Sequence, residues 1–141
     1  MAPTRRILLV EDNENDVELA RLAFAERGLE DDVAVARDGQ EALDYLYGEG
    51  SHTGRGEEAP ALVLLDLNMP RVSGYEVLRR VKEHPRLRSV PVVVFTTSDA
   101  AGDRRLCDAL GADAYLVKPF DFSAFVDVVG ELATTWLPRS A

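Results

Sequence analysis

Five short apolar runs, each followed by a longer amphipathic stretch, limit what this 141-residue chain can become. The runs are Ile7–Val10, Val33–Ala36, Ala61–Leu65, Val92–Phe95 and Ala114–Val117. A strand exposed on one face alternates apolar and polar residues, whereas one covered on both faces need not. The first, third and fourth runs are apolar at almost every position and are therefore expected to lie inside a parallel sheet. The stretches between and after them read as helices over about 14–27, 39–47, 73–83, 102–110 and 121–137. In the first of these, Val17, Ala20 and Phe24 recur at helical spacing. Gly28 and Gly111 stand where a left-handed C-terminal cap belongs, Pro85 and Pro138 stop the third and fifth helices, and Asp121 can accept from the open amides of the last one. Right-handed crossovers put helices on both faces of the sheet, so the fold class is α/β: a doubly wound, five-stranded parallel sheet.

Composition narrows the function classes. A chain of this length fits one domain around one core. Asp and Glu number 25 against 16 Lys and Arg, and the formal charge of −9 opposes the electrostatic attraction on which nucleic-acid binding rests. No apolar run approaches the roughly 18 residues a membrane span requires, and no signal-peptide pattern follows Met1, so a cytoplasmic location is expected. Cys107, the single cysteine, excludes an intrachain disulfide and a multi-cysteine metal site, and reads as a small packing residue on the fourth helix. The long loop Gly48–Pro60 is rich in glycine and polar residues and is expected to be mobile.

Ligands of doubly wound sheets gather at the carboxyl ends of the strands. There the sequence supplies Glu11 and Asp12 after the first strand, Asp66 after the third, Thr96 and Thr97 after the fourth, and Lys118 after the fifth. Three carboxylates at one place cannot all stay ionised without compensation, which implies a cation. A divalent ion together with Lys118 cancels their charge. Oxygen ligands with no His or Cys nearby favour Mg²⁺, with Mn²⁺ as a substitute, over zinc. Lysine is scarce in this chain, Lys82 and Lys118 being the two present, so its placement at that edge is informative. A carboxylate nucleophile, a cation, a lysine and a hydroxyl donor are what in-line phosphoryl transfer to an aspartate needs. Asp66, at the end of Leu62–Leu65, the strand expected to be most buried, and followed by Asn68-Met69-Pro70, is the best candidate for the nucleophile, with Glu11 and Asp12 holding the metal. Taken singly, each group has an ordinary reading as a helix-start charge, a turn residue or a surface ion pair. Together they would require four strand ends to match by accident.

With these residues placed, the chain resembles bacterial response-regulator receiver domains, the phosphoacceptor part of two-component phosphorelay signalling. The resemblance rests on LLVED (Leu8–Asp12), VLLDLNMP (Val63–Pro70), VSGYE (Val72–Glu76), PVVVFT (Pro91–Thr96) and GADAYLVKPF (Gly111–Phe120), and covers nearly the whole chain. It implies a flavodoxin-like (βα)5 fold with strand order 2-1-3-4-5. It implies that Asp66 accepts the phosphoryl group, that Asp12 and Asp66 ligate Mg²⁺ directly, that Glu11 acts largely through water, and that Asn68 gives its backbone carbonyl. Lys118 would pair with Asp66 or its phosphoryl group, and Thr96 would donate its hydroxyl once Asp66 is modified. Tyr115 would be the aromatic switch, turning inward as Thr96 is drawn in, with the fourth helix and fifth strand repacking. The same resemblance implies a cis Lys118–Pro119 bond. Thr97 and Ser98, small or polar, would leave the phosphoryl group open to water. The activity implied is self-phosphorylation and slow self-dephosphorylation in a signalling protein, without the turnover of an enzyme.

Residues 1–141 are then a single receiver with no output domain, acting by contact or as a phosphoryl relay. The Gly48–Pro60 loop, the Val90–Ser98 stretch and Trp136-Leu137 resemble the small regulators paired with phytochrome-type (bacteriophytochrome) sensor histidine kinases, which implies such a kinase as partner. The last helix carries two apolar stripes, one through Phe125, Val128, Val129, Leu132 and Trp136 and one through Val126, Gly130, Ala133 and Leu137. One stripe should face the sheet. The second predicts a homodimer through the fourth helix, fifth strand and fifth helix, with Val126, Ala133 and Leu137 at the interface; the alternative is that Val126 and Leu137 fold over the sheet edge. Two other functions compete: a Mg²⁺-dependent phosphohydrolase with an aspartyl-phosphate intermediate, and a receiver-like binding module that is never phosphorylated. The first lacks an acid two residues after Asp66, where Asn68 stands. Retention of all the site residues speaks against the second.

Overall fold

A computed structural model of the chain describes residues 6–48, 59–69 and 71–137. Most of the expected mobile loop, residues 49–58, lies outside the described residues, as do Pro70, which continues the turn after Asp66, and Pro138, which follows the last helix. The elements are β1 (Ile7–Val10), α1 (Glu14–Glu26), β2 (Val33–Ala36), α2 (Gly39–Tyr47), β3 (Leu62–Leu65), α3 (Gly74–Glu83), β4 (Val92–Thr96), α4 (Ala101–Ala109), β5 (Ala114–Val117) and α5 (Phe122–Trp136). A single 3-10 turn, Glu30–Asp32, leads into β2 and had no sequence signal. The strands are parallel and ordered β2-β1-β3-β4-β5, so the doubly wound, flavodoxin-like expectation holds.

The apolar runs behave as double-sided coverage requires. β1, β3 and β4 are buried at every residue, whereas β2 and β5, at the sheet edges, are largely half-buried. Two cores result. On one face Leu8, Val10, Val63, Leu65 and Val92 meet α2 and α3 through Leu43, Leu46, Val77 and Leu78, and Cys107 of α4 joins them. On the other, Ile7, Leu9, Leu62, Leu64 and Phe95 meet α1 and α5 through Phe24, Phe125, Val129 and Leu132. Burying such a Leu or Phe side chain removes it from water at a gain of roughly 1.5–3 kcal/mol. This packing fixes the strand ends that carry the polar groups.

Side-chain caps start four of the helices: Asn13 accepts from the amide of Asp16, Asp38 from Glu41, Ser73 from Glu76 and Asp121 from Ala124. α4 begins at Ala100 with no such bond and buries only Cys107. The two stripes of α5 are not separate surfaces. Phe125, Val129 and Leu132 are buried, and Val126, Ala133 and Leu137 of the second stripe are half-buried, packing in part on the chain's own core beside α1. At Gly130 the Arg27 guanidinium occupies the space a Cβ would need, 2.7 Å away, and its Nε donates to the Val126 carbonyl at 3.3 Å.

Candidate functional site

The parallel ladder continues past the strand ends and holds the polar residues in register. The amide of Glu11 donates to the carbonyl of Ala36 at 2.9 Å, that of Asp66 to Val10 at 3.0 Å, and that of Lys118 to Thr96 at 2.7 Å. Four consecutive positions in the sheet order, β1, β3, β4 and β5, therefore deliver their groups to one edge. Gly74 tightens this arrangement: a Cβ there would lie 2.1 Å from the Asp66 carbonyl oxygen, so only glycine lets α3 begin directly against the strand end.

Glu11, Asp12 and Asp66 each bring one carboxylate oxygen into a group whose members all lie within 4.8 Å of one another. Glu11 is buried, Asp66 half-buried and Asp12 open to solvent, so the cluster has a dry floor and a wet mouth. Lys118 is almost fully covered and shares its ammonium among three acids. It donates to Glu11 Oε2 in a short contact, to Asp16 Oδ2 at 3.1 Å, and stands 3.9 Å from Asp66 Oδ1. Burial pushes the carboxyls of Glu11 and Asp66 above the usual range, against the pull of Lys118. Burial works to lower Lys118, but its bond to Glu11, the charges of Asp66 and Glu11, and its bond to Asp16 hold it above the ordinary lysine value. The donor set is hard, oxygen-only and charge-excessive, which fits a divalent cation.

Asp16 was not foreseen. It lies in the first turn of α1, four residues after Asp12, and that spacing was the only available signal. With it the edge carries four carboxylates, so a divalent cation and Lys118 leave one negative charge over. Lys118 accordingly spends its hydrogen bonds on Glu11 and Asp16, and its contact with Asp66 is the longest of the three.

Thr96 closes β4 and is fully buried, its Oγ1 accepting from the Ser98 amide at 3.3 Å. Tyr115 on β5 is half-buried, donates to the Ser98 carbonyl at 2.8 Å, and lies under the Arg104 guanidinium, 4.6 Å from the ring centre. The Ser98 hydroxyl donates to Asp103 at 2.5 Å. Asn68 is exposed after β3, beside Asp66. No cis peptide bond occurs among the described residues, so Lys118–Pro119 is trans, contrary to the expectation. The trans form is favoured before proline by about 0.5–1 kcal/mol, and Lys118 reaches the carboxylates in it. The Cys107 thiol is buried and pushed up to about 11 by burial and by Asp103, which suits a packing residue.

An acidic trio, a buried lysine and a buried hydroxyl at the carboxyl edge of a 2-1-3-4-5 sheet define a phosphoacceptor signalling domain. The chain belongs to the response regulator receiver domain family, whose model matches residues 7–130. Among curated proteins it is 43% identical over 131 residues to the probable methanogenesis regulatory protein FilR2 of Methanothrix harundinacea, covering 93% of this chain and 83% of that one. It is 33% identical over 135 residues to the response regulator Rcp1 of Synechocystis sp., covering 96% and 90%. Among solved structures it is similar to the phosphorylated cyanobacterial phytochrome response regulator RcpA, with a TM-score of 0.86, 35% identity and coverage of 99% and 98%. The bacteriophytochrome response regulator AtBRR matches at 0.79, 44% identity, 99% and 100%. The Mn²⁺-bound form of Rcp1 matches at 0.82, 32% identity and 96% of both chains. Receivers of this family take their phosphoryl group from sensor histidine kinases and serve phosphorelay signalling. Among the described residues no helix is long and apolar enough to cross a membrane.

Proposed function

We propose that this chain takes a phosphoryl group from the phosphohistidine of a sensor histidine kinase onto Asp66, in the cytoplasm, with Mg²⁺ as its resident cation. The observation that carries this reading is the convergence of Glu11, Asp12 and Asp66 oxygens within 4.8 Å, with Lys118 3.9 Å from Asp66. The nitrogen–phosphorus bond of the donor breaks as a bond from Asp66 to phosphorus forms, and the leaving imidazole keeps the electron pair. Asp12 and Asp66 would hold the cation directly, Glu11 through water and Asn68 by its backbone carbonyl; the cation neutralises charge on the transferring group. Lys118 supplies a fixed positive charge beside the developing phosphoryl oxygens. Thr96 donates its hydroxyl to one of them, and Tyr115 follows. Water attacking phosphorus later returns inorganic phosphate and free Asp66.

The likeness to RcpA and AtBRR supports a phytochrome-type kinase as the donor. Phe120, next in the chain but one to Lys118 and wholly exposed, would offer such a partner an apolar contact. A homodimer through α4, β5 and α5 is supported by the exposed Leu106, Val117 and Phe122 on those three elements. Val126, Ala133 and Leu137 would extend that interface with the part of each side chain that α1 leaves open.

Intact mass spectra of the wild type and Asp66→Asn, with Mg²⁺ and a small acyl-phosphate donor, test the proposal. The expected result is a gain of one phosphoryl group in the wild type that is lost on chelation and absent in the variant. An equal gain in Asp66→Asn would overturn the assignment of the acceptor, and metal-independent gain would overturn the role of the cation.

A further inference from the structure

Phosphoryl transfer as described above leaves Asp16 without a part, yet Asp16 holds the lysine on which that transfer depends. Its side chain projects from the first turn of α1, 36% exposed, and its Oδ2 accepts from Lys118 Nζ at 3.1 Å. An ammonium has three N–H groups. One goes to Glu11 and one to Asp16, which leaves a single N–H for Asp66 or for a group bound to it. Asp66 Oδ1 stands 3.9 Å away, beyond hydrogen-bond distance. The Lys118 side chain is only 8% exposed, so little water competes for its donors.

Asp16 also acts on Asp66 directly. Burial raises the Asp66 carboxyl and Lys118 pulls it down, while the charges of Asp12 and Asp16 add to the rise. Holding Lys118 back and adding a like charge work in one direction on the acceptor, since each makes further negative charge at Asp66 more costly. On a cation they work in the other direction, because Asp16 adds negative charge to the edge and keeps positive charge away from Asp66. We infer that Asp16 is a positioning residue that draws Lys118 toward α1, strengthening the hold of the edge on a divalent cation and slowing the arrival of a phosphoryl group on Asp66. The inference rests on the phosphoacceptor reading above. A phosphoryl group brings more negative charge to Asp66 than the carboxylate it replaces, so the charge left over by Asp16 counts against it.

Asp16→Asn, which keeps the shape and removes the charge, tests this on the full chain beside Asp16→Glu and Glu18→Gln. Glu18 is exposed and two residues further along α1, where it does not share a face with Asp16, and it controls for net charge alone. Lys82 and Lys118 are the two lysines, so side-chain lysine NMR reads each separately. In Asp16→Asn the Lys118 signal should move and the Lys82 signal should stay. The dissociation constant for Mn²⁺, by calorimetric titration, should rise about three- to fivefold, as loss of one partly exposed ion pair implies. Phosphoryl uptake from a small acyl-phosphate donor at saturating Mn²⁺, followed by intact mass, should quicken by a similar factor. Asp16→Glu and Glu18→Gln should stay near the wild type in all three measurements. An unmoved Lys118 signal, an unchanged Mn²⁺ constant, uptake no faster at saturating cation, or an equal change in Glu18→Gln would each overturn the inference; slower uptake is what a merely structural role for Asp16 predicts. Failure of the phosphoacceptor reading shows separately, as no phosphoryl gain in the wild type, with the lysine signal and the Mn²⁺ constant still reporting on Asp16.

Discussion

The site end of β1 and β3 and the β5–α4 edge are built on opposite terms. β1 and β3 are buried throughout, their ladder bonds run on into Glu11 and Asp66, and the helices that follow them start on the side-chain caps Asn13 and Ser73. β5 is half-open, Val117 is exposed, and α4 starts without a cap and buries one thiol. Charge has to be held at fixed distances for phosphoryl transfer, so the carboxylates stand on the strands with the greatest packing energy behind them. A segment that must rearrange in response has to come from the low end of the stability range. The carboxylates thus rest on the deepest packing, while Lys118 reaches them from the half-open β5, and polar contacts at Ser98 hold the β4–α4 connection where apolar contacts are few.

Leu65→Ala in β3 should have the largest effect on this contrast, lowering unfolding free energy in denaturant titration by about 2–5 kcal/mol, since the side chain is fully buried beside Asp66. A divalent cation should act on the same region: at a hundredfold excess over its dissociation constant, Mn²⁺ or Mg²⁺ should add about 2.7 kcal/mol, read as a rise in Tm. Burial raises the carboxyls of Glu11 and Asp66, so they take up protons at higher pH than free carboxylates do and compete with the metal; the rise in Tm should shrink as the pH is lowered. A Tm shift that grows with acid would contradict a carboxylate-held ion. Gly74→Ala should cost about 1–3 kcal/mol and slow phosphoryl uptake, because the new methyl must push α3 or the Asp66 carbonyl aside. The smallest effect belongs to the edge: Leu106→Ala on α4, 47% exposed, should change stability by no more than about 0.5 kcal/mol. A loss there comparable to that of Leu65→Ala would erase the contrast between the centre and the edge of the sheet.

How much of this was legible without coordinates follows from the range over which each signal acts. All five strands and all five helices lie within a residue or so of where apolar periodicity, Gly28, Gly111 and Pro85 put them. The acidic cluster followed from the strands, because parallel strands in one register bring their carboxyl ends to one edge whatever the loops do. Asp16 was missed because its approach to Lys118 depends on the rotation of α1 about its axis relative to β5, which no local pattern encodes. Ser98 read only as a small residue that leaves the phosphoryl group open to water, because nothing in its neighbourhood announces that Asp103, five residues on, and Tyr75, from another helix, will meet beside it. The second stripe of α5 was legible as apolar, with a twin subunit or the chain's own sheet edge as its cover; that it is half-covered, and that Arg27, just past the end of α1, fills the notch at Gly130, only the tertiary structure shows.

The amino-acid order alone determined the alternation of elements, the buried centre of the sheet and the set of charges at its carboxyl edge, since hydrophobic period and residue chemistry are properties of short segments. Tertiary structure alone decided how Lys118 divides its bonds among Glu11, Asp16 and Asp66, which isomer precedes Pro119, and which groups Ser98 ties together. Those outcomes depend on helix rotation and side-chain reach across distant parts of the chain. They are settled by the balance of many weak contacts at once, and no single stretch of sequence contains that balance.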